Sequence, residues 1–255
     1  MKKLQKKISV AILYYVGTHE DDEDTLDCVK GIQESLDRTG HPVTIASVTR
    51  DNWQKAIHTP GDVVFNFVED ESWTLYEKVA YGLEKLHRAQ MGHDSAGLPY
   101  AIKKSPIKRM MRDMHIATPN FLLFGAKDKP FNPGTLHFPV IVKPATQHAG
   151  IGISQQSVVT NKHKLVQQIH HLLHTYSGDV IAEEFIEGRE IHVTILGNGT
   201  NTIVLPFCEI GFKGKFSCHW HVYTYDAKWA KQTWEYDDAR VQAPAKLPAP
   251  LQKKI

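Results

Sequence analysis

Cysteine is scarce in this 255-residue chain: only Cys28, Cys208 and Cys218 occur, far apart in sequence. That excludes a disulfide framework and fits a reducing compartment. An excess of one charge is missing too. Thirty Lys and Arg stand against 28 Asp and Glu, a net charge of +2. This is too little for the basic surface that nucleic acid or an anionic membrane requires. No apolar run is long enough to cross a bilayer, and repeats and low-complexity tracts are absent. Residues 1–7 are basic and residues 8–16 apolar, which imitates a signal peptide. However, no small-residue cleavage site follows; the chain runs into Gly17-Thr-His-Glu-Asp-Asp-Glu-Asp24. A first buried parallel strand is the better account. A cytoplasmic protein is expected, with neither nucleic acid nor membrane as partner.

What is present alternates. After the strand at 8–16, residues 25–38 place Leu26, Val29, Ile32 and Leu36 on one helical stripe that ends near Gly40. The acidic residues at 20–24 sit at its N-terminus, where the backbone dipole favours negative charge. Strands are expected at 42–48 and 62–68, with a short helix at 53–57 between them. A helix then carries Leu75, Val79, Leu83 and Leu86. This succession predicts a doubly wound parallel sheet. Ligands of such sheets lie at the carboxyl ends of the strands, making Asn66, Glu69 and Glu71 candidates for substrate contact. The alternative is that Asn66 and Glu69 only satisfy loop backbone groups.

Residues 88–102 are polar, without period, and read as a domain boundary. Pro106 suits the first turn of a new helix, whose Ile107, Met110, Met111 and Met114 recur at core spacing. Strands are expected at 121–124 and 138–143. Between 162 and 175 a helix turns Leu165, Val166, Ile169, Leu172 and Leu173 inward and His170, His171 and His174 mainly outward. Residues 189–196 alternate as one strand, and Asn198-Gly199 signals a hairpin. From 212 to 242 a long loop with strand fragments is expected, and the last residues look like the start of a helix. Cys218-His219-Trp220-His221 offers zinc-type ligands. Tetrahedral sites usually draw on two separated pairs, so the run is read as ordinary loop.

The chemistry concentrates between 138 and 190. Lys143 ends an apolar strand just before Pro144, and the small-residue loop 145–154 follows. Glycines let backbone N–H groups turn toward phosphate oxygens, and an ammonium adds compact positive charge. A second strand carries Glu183, and Glu190 follows on the polar face of the next. A nucleotide suits this combination, with phosphates at the lysine and loop and sugar and base at the second strand.

The motifs Asp62-Val-Val-Phe-Asn66, Lys104-x3-Lys108 with Ile116-Ala-Thr-Pro119, Phe138-Pro-Val-Ile-Val-Lys-Pro144, Gly150-Ile-Gly-Ile-Ser154, Glu183-Glu-Phe-Ile-Glu-Gly-Arg-Glu190 and Tyr225-Asp-Ala-Lys-Trp229 occur in that order. As an ordered set it resembles the ATP-grasp ligases, most closely the D-alanine–D-alanine ligase branch. The resemblance implies an α/β chain, α+β in its ATP-grasp part. A Rossmann-like domain would span 1–98 and a central subdomain 99–180. Residues 181–255 would begin a C-terminal lobe left incomplete at residue 255. It further implies that Lys104 and Lys143 reach the phosphates of ATP, with Gln147, Gly150 and Gly152 in a lid over them. Glu183 would lie by the adenine amino group, with the Glu184, Phe185 and Ile186 backbone along the base and Phe185 in the purine slot. Glu190 would accept from the ribose hydroxyls, and Lys228 would act catalytically at the γ-phosphate. Asn66, Glu69, His148 and Ala149 would face the substrates.

The implied activity is ATP-dependent ligation of a small-molecule carboxylate to an amine through an acyl phosphate, in a homodimer. The alternative is a truncated or degenerate relative that binds nucleotide or a partner without catalysis. Mg2+ or Mn2+ is expected for the complete enzyme, but no residue of this chain is assigned to it. The family's Asp-x-Arg and Glu-x-Asn-x-x-Pro metal motifs do not occur in the 255 residues. Two departures leave the acid and amine open. Ala149 and Gly150 stand where the family has serines, and Val68-Glu-Asp-Glu71 stands where it has a His-Gly segment.

Overall fold

A computed structural model describes residues 7–17, 22–70, 72–128 and 131–255. The basic lead-in at 1–6, most of the acidic turn before the first helix, and Glu71 lie outside the described residues. The chain forms two compact units, Met1–Ile102 and Lys103–Ile255.

In the first unit, β1 (Val10–Tyr15), β2 (Val43–Val48), β3 (Val63–Phe67) and β4 (Ala89–Met91) make a parallel sheet in the order β2-β1-β3-β4. Side chains alternate along β1 and so feed two cores. Val10 and Ile12 meet Val29 of α1 (Asp22–Thr39), with Ile32 and Leu36 partly buried beside them. Ala11 and Leu13 pack with Ala56 of α2 (Trp53–Ala56) and with Leu75, Val79 and Leu83 of α3 (Thr74–Lys85). The doubly wound arrangement is therefore present. Gly40, at φ +76°, ends α1 in the left-handed conformation, and the His41 N–H returns to the Leu36 carbonyl at 3.0 Å. Asp70 starts α3 by accepting the Leu75 and Tyr76 N–H groups at 2.8 and 3.2 Å.

Residues 88–102 end where the first compact unit ends, but they are ordered, not irregular. Residues 89–91 pair with β3 in register Val63↔Ala89, and α4 (Leu98–Ile102) buries Leu98 beside Tyr76 and Ala80. Three residues are too few to show a period.

The second unit holds an antiparallel sheet, β5-β8-β6-β7, from β5 (Phe121–Phe124), β6 (Val140–Pro144), β7 (Val158–Val159) and β8 (Val180–Glu184). One face is closed by α6 (Lys162–Thr175), whose Leu165, Ile169 and Leu172 pack on Val140, Val142, Val180 and Ala182. An expected break between residues 180 and 181 does not fit this sheet, because β8 lies between β5 and β6 and belongs to it.

The methionine stripe of α5 (Lys104–Asp113) is not core. Met110 and Met111 are half-buried and Met114 is exposed, whereas Lys108 is buried. Spacing defines a stripe; the partner decides which stripe is covered.

Beyond β8 the expected strand 189–196 divides into β9 (Glu190–His192) and β10 (Ile195–Leu196). The latter pairs with β11 (Ile203–Val204) as the expected hairpin. In a third sheet β12 (Cys208–Phe212) runs antiparallel to β9 and to β13 (Ala239–Gln242). The segment 212–242 is more ordered than a loop. It holds α7 (Tyr225–Trp229) and α8 (Trp234–Asp238) around a core of Phe216, Ala227 and Ala239. Thr224 and Thr233 cap the two helices by accepting the Ala227 and Tyr236 N–H groups. A last short helix, α9 (Ala249–Gln252), follows.

Candidate functional site

Alternation along β6 sends Val140 and Val142 to the α6 core and leaves Ile141 and Lys143 on the other face. The register Ile141↔Glu183 puts Glu183 on that same face. There the Lys143 ammonium contacts Glu183 Oε1, and Lys108 Nζ reaches Glu183 Oε2 at 2.7 Å. Lys108 also donates to Thr118 Oγ1 at 2.7 Å and lies over the Phe121 ring at 5.5 Å. Lys104, at the start of α5, donates to the Gln147 carbonyl.

Two lysines thus pair with one largely buried carboxylate, and Lys104 stands near enough to feel both Lys143 and Glu183. Burial alone would raise the Glu183 carboxyl, but Lys143 and Lys108 hold it below the ordinary range. Burial lowers Lys104 from 10.5 to about 8; Lys143 pushes the same way and Glu183 opposes. The cluster keeps an excess of positive charge, which suits a polyphosphate.

The glycine loop stands against the second lobe. Ala149, Gly150 and Gly152 have φ of +53°, +84° and +74°. A Cβ on Gly150 would lie 3.2 Å from Tyr225 N and 3.4 Å from Lys228 Cδ, so the glycine lets α7 approach. Three ties join the segments. Trp229 Nε1 donates to the Ala149 carbonyl at 2.9 Å, and the Tyr225 N–H donates to the Ile153 carbonyl at 3.1 Å. The Gln155 carboxamide binds both backbone groups of Trp220. Burial lowers Lys228, while Glu190 opposes that shift, and the Lys228 ammonium lies 5.0 Å from the Tyr223 ring centroid. Thr224, which caps α7, donates in turn to the buried Glu235.

Between β8 and β9 runs the link that was expected to hold the base. The Glu184 and Phe185 N–H groups donate to the Asn120 and Pro139 carbonyls, each at 3.0 Å. The Glu184 carboxylate accepts His137 Nδ1 at 2.7 Å and Asn120 Nδ2 at 3.2 Å. His137 is the main cause of its lowered pKa. Phe185 meets Trp220 edge to face at 5.5 Å, and Ile186 is exposed. Glu190 Oε1 lies 3.1 Å from His192 Nε2.

Lys104, Lys143, Gln147 and Glu183 are therefore brought together, and Gly150 joins Lys228. Both Glu183 oxygens are engaged by lysines, so in this state it serves charge pairing. His148 is half-buried in the loop. Asn66 and Glu69 belong to the first unit. Asn66 is buried, with its Oδ1 accepting the Val68 N–H at 3.3 Å, and burial raises the Glu69 carboxyl. Lys108, Gln155, Trp220 and Glu235 were not singled out from sequence as site residues. Only Lys108 had a signal, its place in the Lys104-x3-Lys108 motif. Among the described residues no group of three or more His, Cys, Asp or Glu stands close enough to hold an ion. His219 Nδ1 instead lies 2.8 Å from the Lys215 carbonyl, and His221 stacks on Phe212. A divalent metal does not fit the residues described.

A family model for the D-ala D-ala ligase C-terminus matches residues 110–255. The chain belongs to the D-alanine–D-alanine ligase family, of ATP-grasp fold. Among curated relatives, a D-alanine–D-alanine ligase of Syntrophotalea carbinolica is 29% identical over 98% of this chain and 73% of its own length. An uncharacterized protein, y4sG, of Sinorhizobium fredii is 31% identical over 64% of this chain and 46% of its own. The match with y4sG thus spans less than half of that relative. A D-alanine–D-alanine ligase from Bacillus anthracis, solved complexed with ATP, shares the fold at a TM-score of 0.70 and 18% identity. That match covers 96% of this chain and 73% of the other. No described helix is long and apolar enough to cross a membrane.

Proposed function

We propose that this chain binds ATP and serves the ATP-dependent ligation of a small carboxylate to an amine, in the cytoplasm and as a homodimer. The observation that carries the reading is the cluster in which Lys108 and Lys143 share the buried Glu183 carboxylate, with Lys104 beside them. Lysines that share one carboxylate are held in place before the ligand arrives, so little ordering cost remains when phosphates replace water. Lys104 and Lys143 would hold the phosphates, the 146–152 loop would cover them, and Lys228 would neutralise charge from the side of α7. Glu190 would orient the ribose, while Phe185 and the backbone of 184–186 would bracket the base. ATP supplies the phosphoryl group that turns the carboxylate into an acyl phosphate open to attack by the amine. His148 and Ala149 in the loop, and Asn66 and Glu69 in the first unit, are the residues proposed to meet the substrates.

Calorimetric titration with ATP tests the binding half. The wild-type chain should bind and Lys143→Ala should not; retained affinity in that variant would remove the phosphate-site assignment. The catalytic half is tested by ADP release with Mg2+ across a panel of amino acids and small acids. Binding without release on any pair would favour a nucleotide-binding role without turnover.

A further inference from the structure

Among the described residues of the second unit two glutamates are buried, Glu183 and Glu235. Glu183 sits between Lys108 and Lys143. Glu235, in the first turn of α8, forms no ion pair among the described residues; its carboxylate Oε2 accepts the Thr224 hydroxyl instead. A carboxylate taken out of water without a cation is costly, so its one bond points to its purpose.

Thr224 is buried too, and it caps α7, with its Oγ1 accepting the Ala227 N–H at 3.1 Å. A hydroxyl has a single proton and rotates to suit its partners. Glu235 takes that proton, which leaves the oxygen lone pairs to the Ala227 N–H and sets the cap in one orientation. α7 depends on such support, since it has five residues and so short a helix does not persist on propensity alone. Lys228 rides on this turn. Its N–H donates to the Thr224 carbonyl at 3.3 Å, and its ammonium lies 5.0 Å from the ring centroid of Tyr223, the residue before the cap. Any shift of Thr224 therefore carries both ends of Lys228 with it. Glu235 does not reach Lys228 by charge; the anion that acts on Lys228 is Glu190.

We propose that Glu235 is a positioning residue for Lys228, holding α7 through the Thr224 hydroxyl so that the ammonium meets the terminal phosphate of the nucleotide. The inference rests on the nucleotide reading above, and its test separates the two.

The experiment titrates the 255-residue chain calorimetrically with ATP and with ADP, which lacks the terminal phosphate. Glu235→Ala should weaken ATP about fivefold and ADP less than about twofold. In a Lys228→Met background the same change should cost ATP less than about twofold, because the lysine through which it acts is gone. Two further variants separate reach from charge and preserve most of the buried volume should Glu235→Ala fail to fold. Glu235→Gln keeps an acceptor oxygen at the same reach and should stay within about twofold of the wild type. Glu235→Asp keeps the charge but withdraws it by one methylene, and should imitate Glu235→Ala. Equal weakening of ATP and ADP, or an undiminished loss in the Lys228→Met background, would reduce Glu235 to a structural residue and overturn the proposal. So would a damaging Glu235→Gln beside a harmless Glu235→Asp. Each of these leaves the phosphate site of Lys104 and Lys143 standing. If Lys228→Met alone leaves ATP affinity unchanged, the assignment of Lys228 falls and this inference with it. If ATP does not bind the wild type, the nucleotide reading itself is lost.

Discussion

Raising the pH from 7 to 9 should weaken tripolyphosphate binding about tenfold relative to Lys104→Met, because Lys104 loses its proton in that interval while the ligand's own ionisation is common to both proteins. Burial, reinforced by Lys143, lowers this ammonium to about 8. It is therefore about nine-tenths protonated at pH 7 and about one-tenth at pH 9. A phosphate beside it favours the cation and draws the proton back. Binding at pH 8 should take up about half a proton more in the wild type than in Lys104→Met, and at pH 6.5 almost the same amount in both. Calorimetry in buffers of different ionisation enthalpy measures that uptake. Lys104→Met supplies the control, since every other titrating group, the ligand included, is the same in both proteins. Uptake at pH 8 that is the same in the wild type and in Lys104→Met would refute the reasoning.

The same lowered pKa has a consequence for folding. Between about pH 8 and 10.5 the unfolded chain binds more protons at Lys104 than the folded one. Urea denaturation should thus show wild-type stability rising relative to Lys104→Met by about 2 kcal/mol across that window, allowing for partial screening. Glu183→Gln leaves Lys108 and Lys143 without their shared anion and should cost about 3 kcal/mol in the same assay; an unmoved midpoint would show that the cluster is not buried as described. Gly152→Ala combines φ +74° with a Cβ only 2.7 Å from Pro144 Cγ, for an expected loss of about 2–3 kcal/mol. By contrast Glu209→Gln should cost no more than about 1 kcal/mol, because the Arg189–Glu209 pair, although doubly bonded at 2.6 Å, leaves nearly half of the Arg189 side chain in solvent. A large loss there would contradict that reading.

Several elements were legible because one chemical signal sufficed. Residues 10–15 and 63–67 are apolar runs of strand length, and the Leu165, Ile169 and Leu172 spacing defines a helix face without help from the rest of the chain. The phosphate cluster was half legible. Lys143 beside a glycine loop announces an anion site, but the burial of Lys108 depends on Glu183, far away in sequence and placed by strand register. The methionines of α5 misled for the same reason, since periodicity does not say which stripe finds a partner. The helices α7 and α8 have five residues each, less than the window in which a 3.6-residue period can be seen. Their caps at Thr224 and Thr233 were the available signal. Gln155 gave none: a glutamine in a polar loop looks the same whether it faces water or holds another segment's peptide.

The ties between the glycine loop and the second lobe run in opposite senses. Ala149 meets Trp229, Ile153 meets Tyr225, and Gln155 meets Trp220, so advancing along one segment means retreating along the other. Surface loops ordinarily accept added or deleted residues. Here a single insertion between 149 and 155 would slide every later tie out of step unless 220–229 lengthened to match. The two stretches share one length constraint, so changes in their length are expected to accumulate in pairs. A graft that transplants the loop into another scaffold would need to carry residues 220–229 with it.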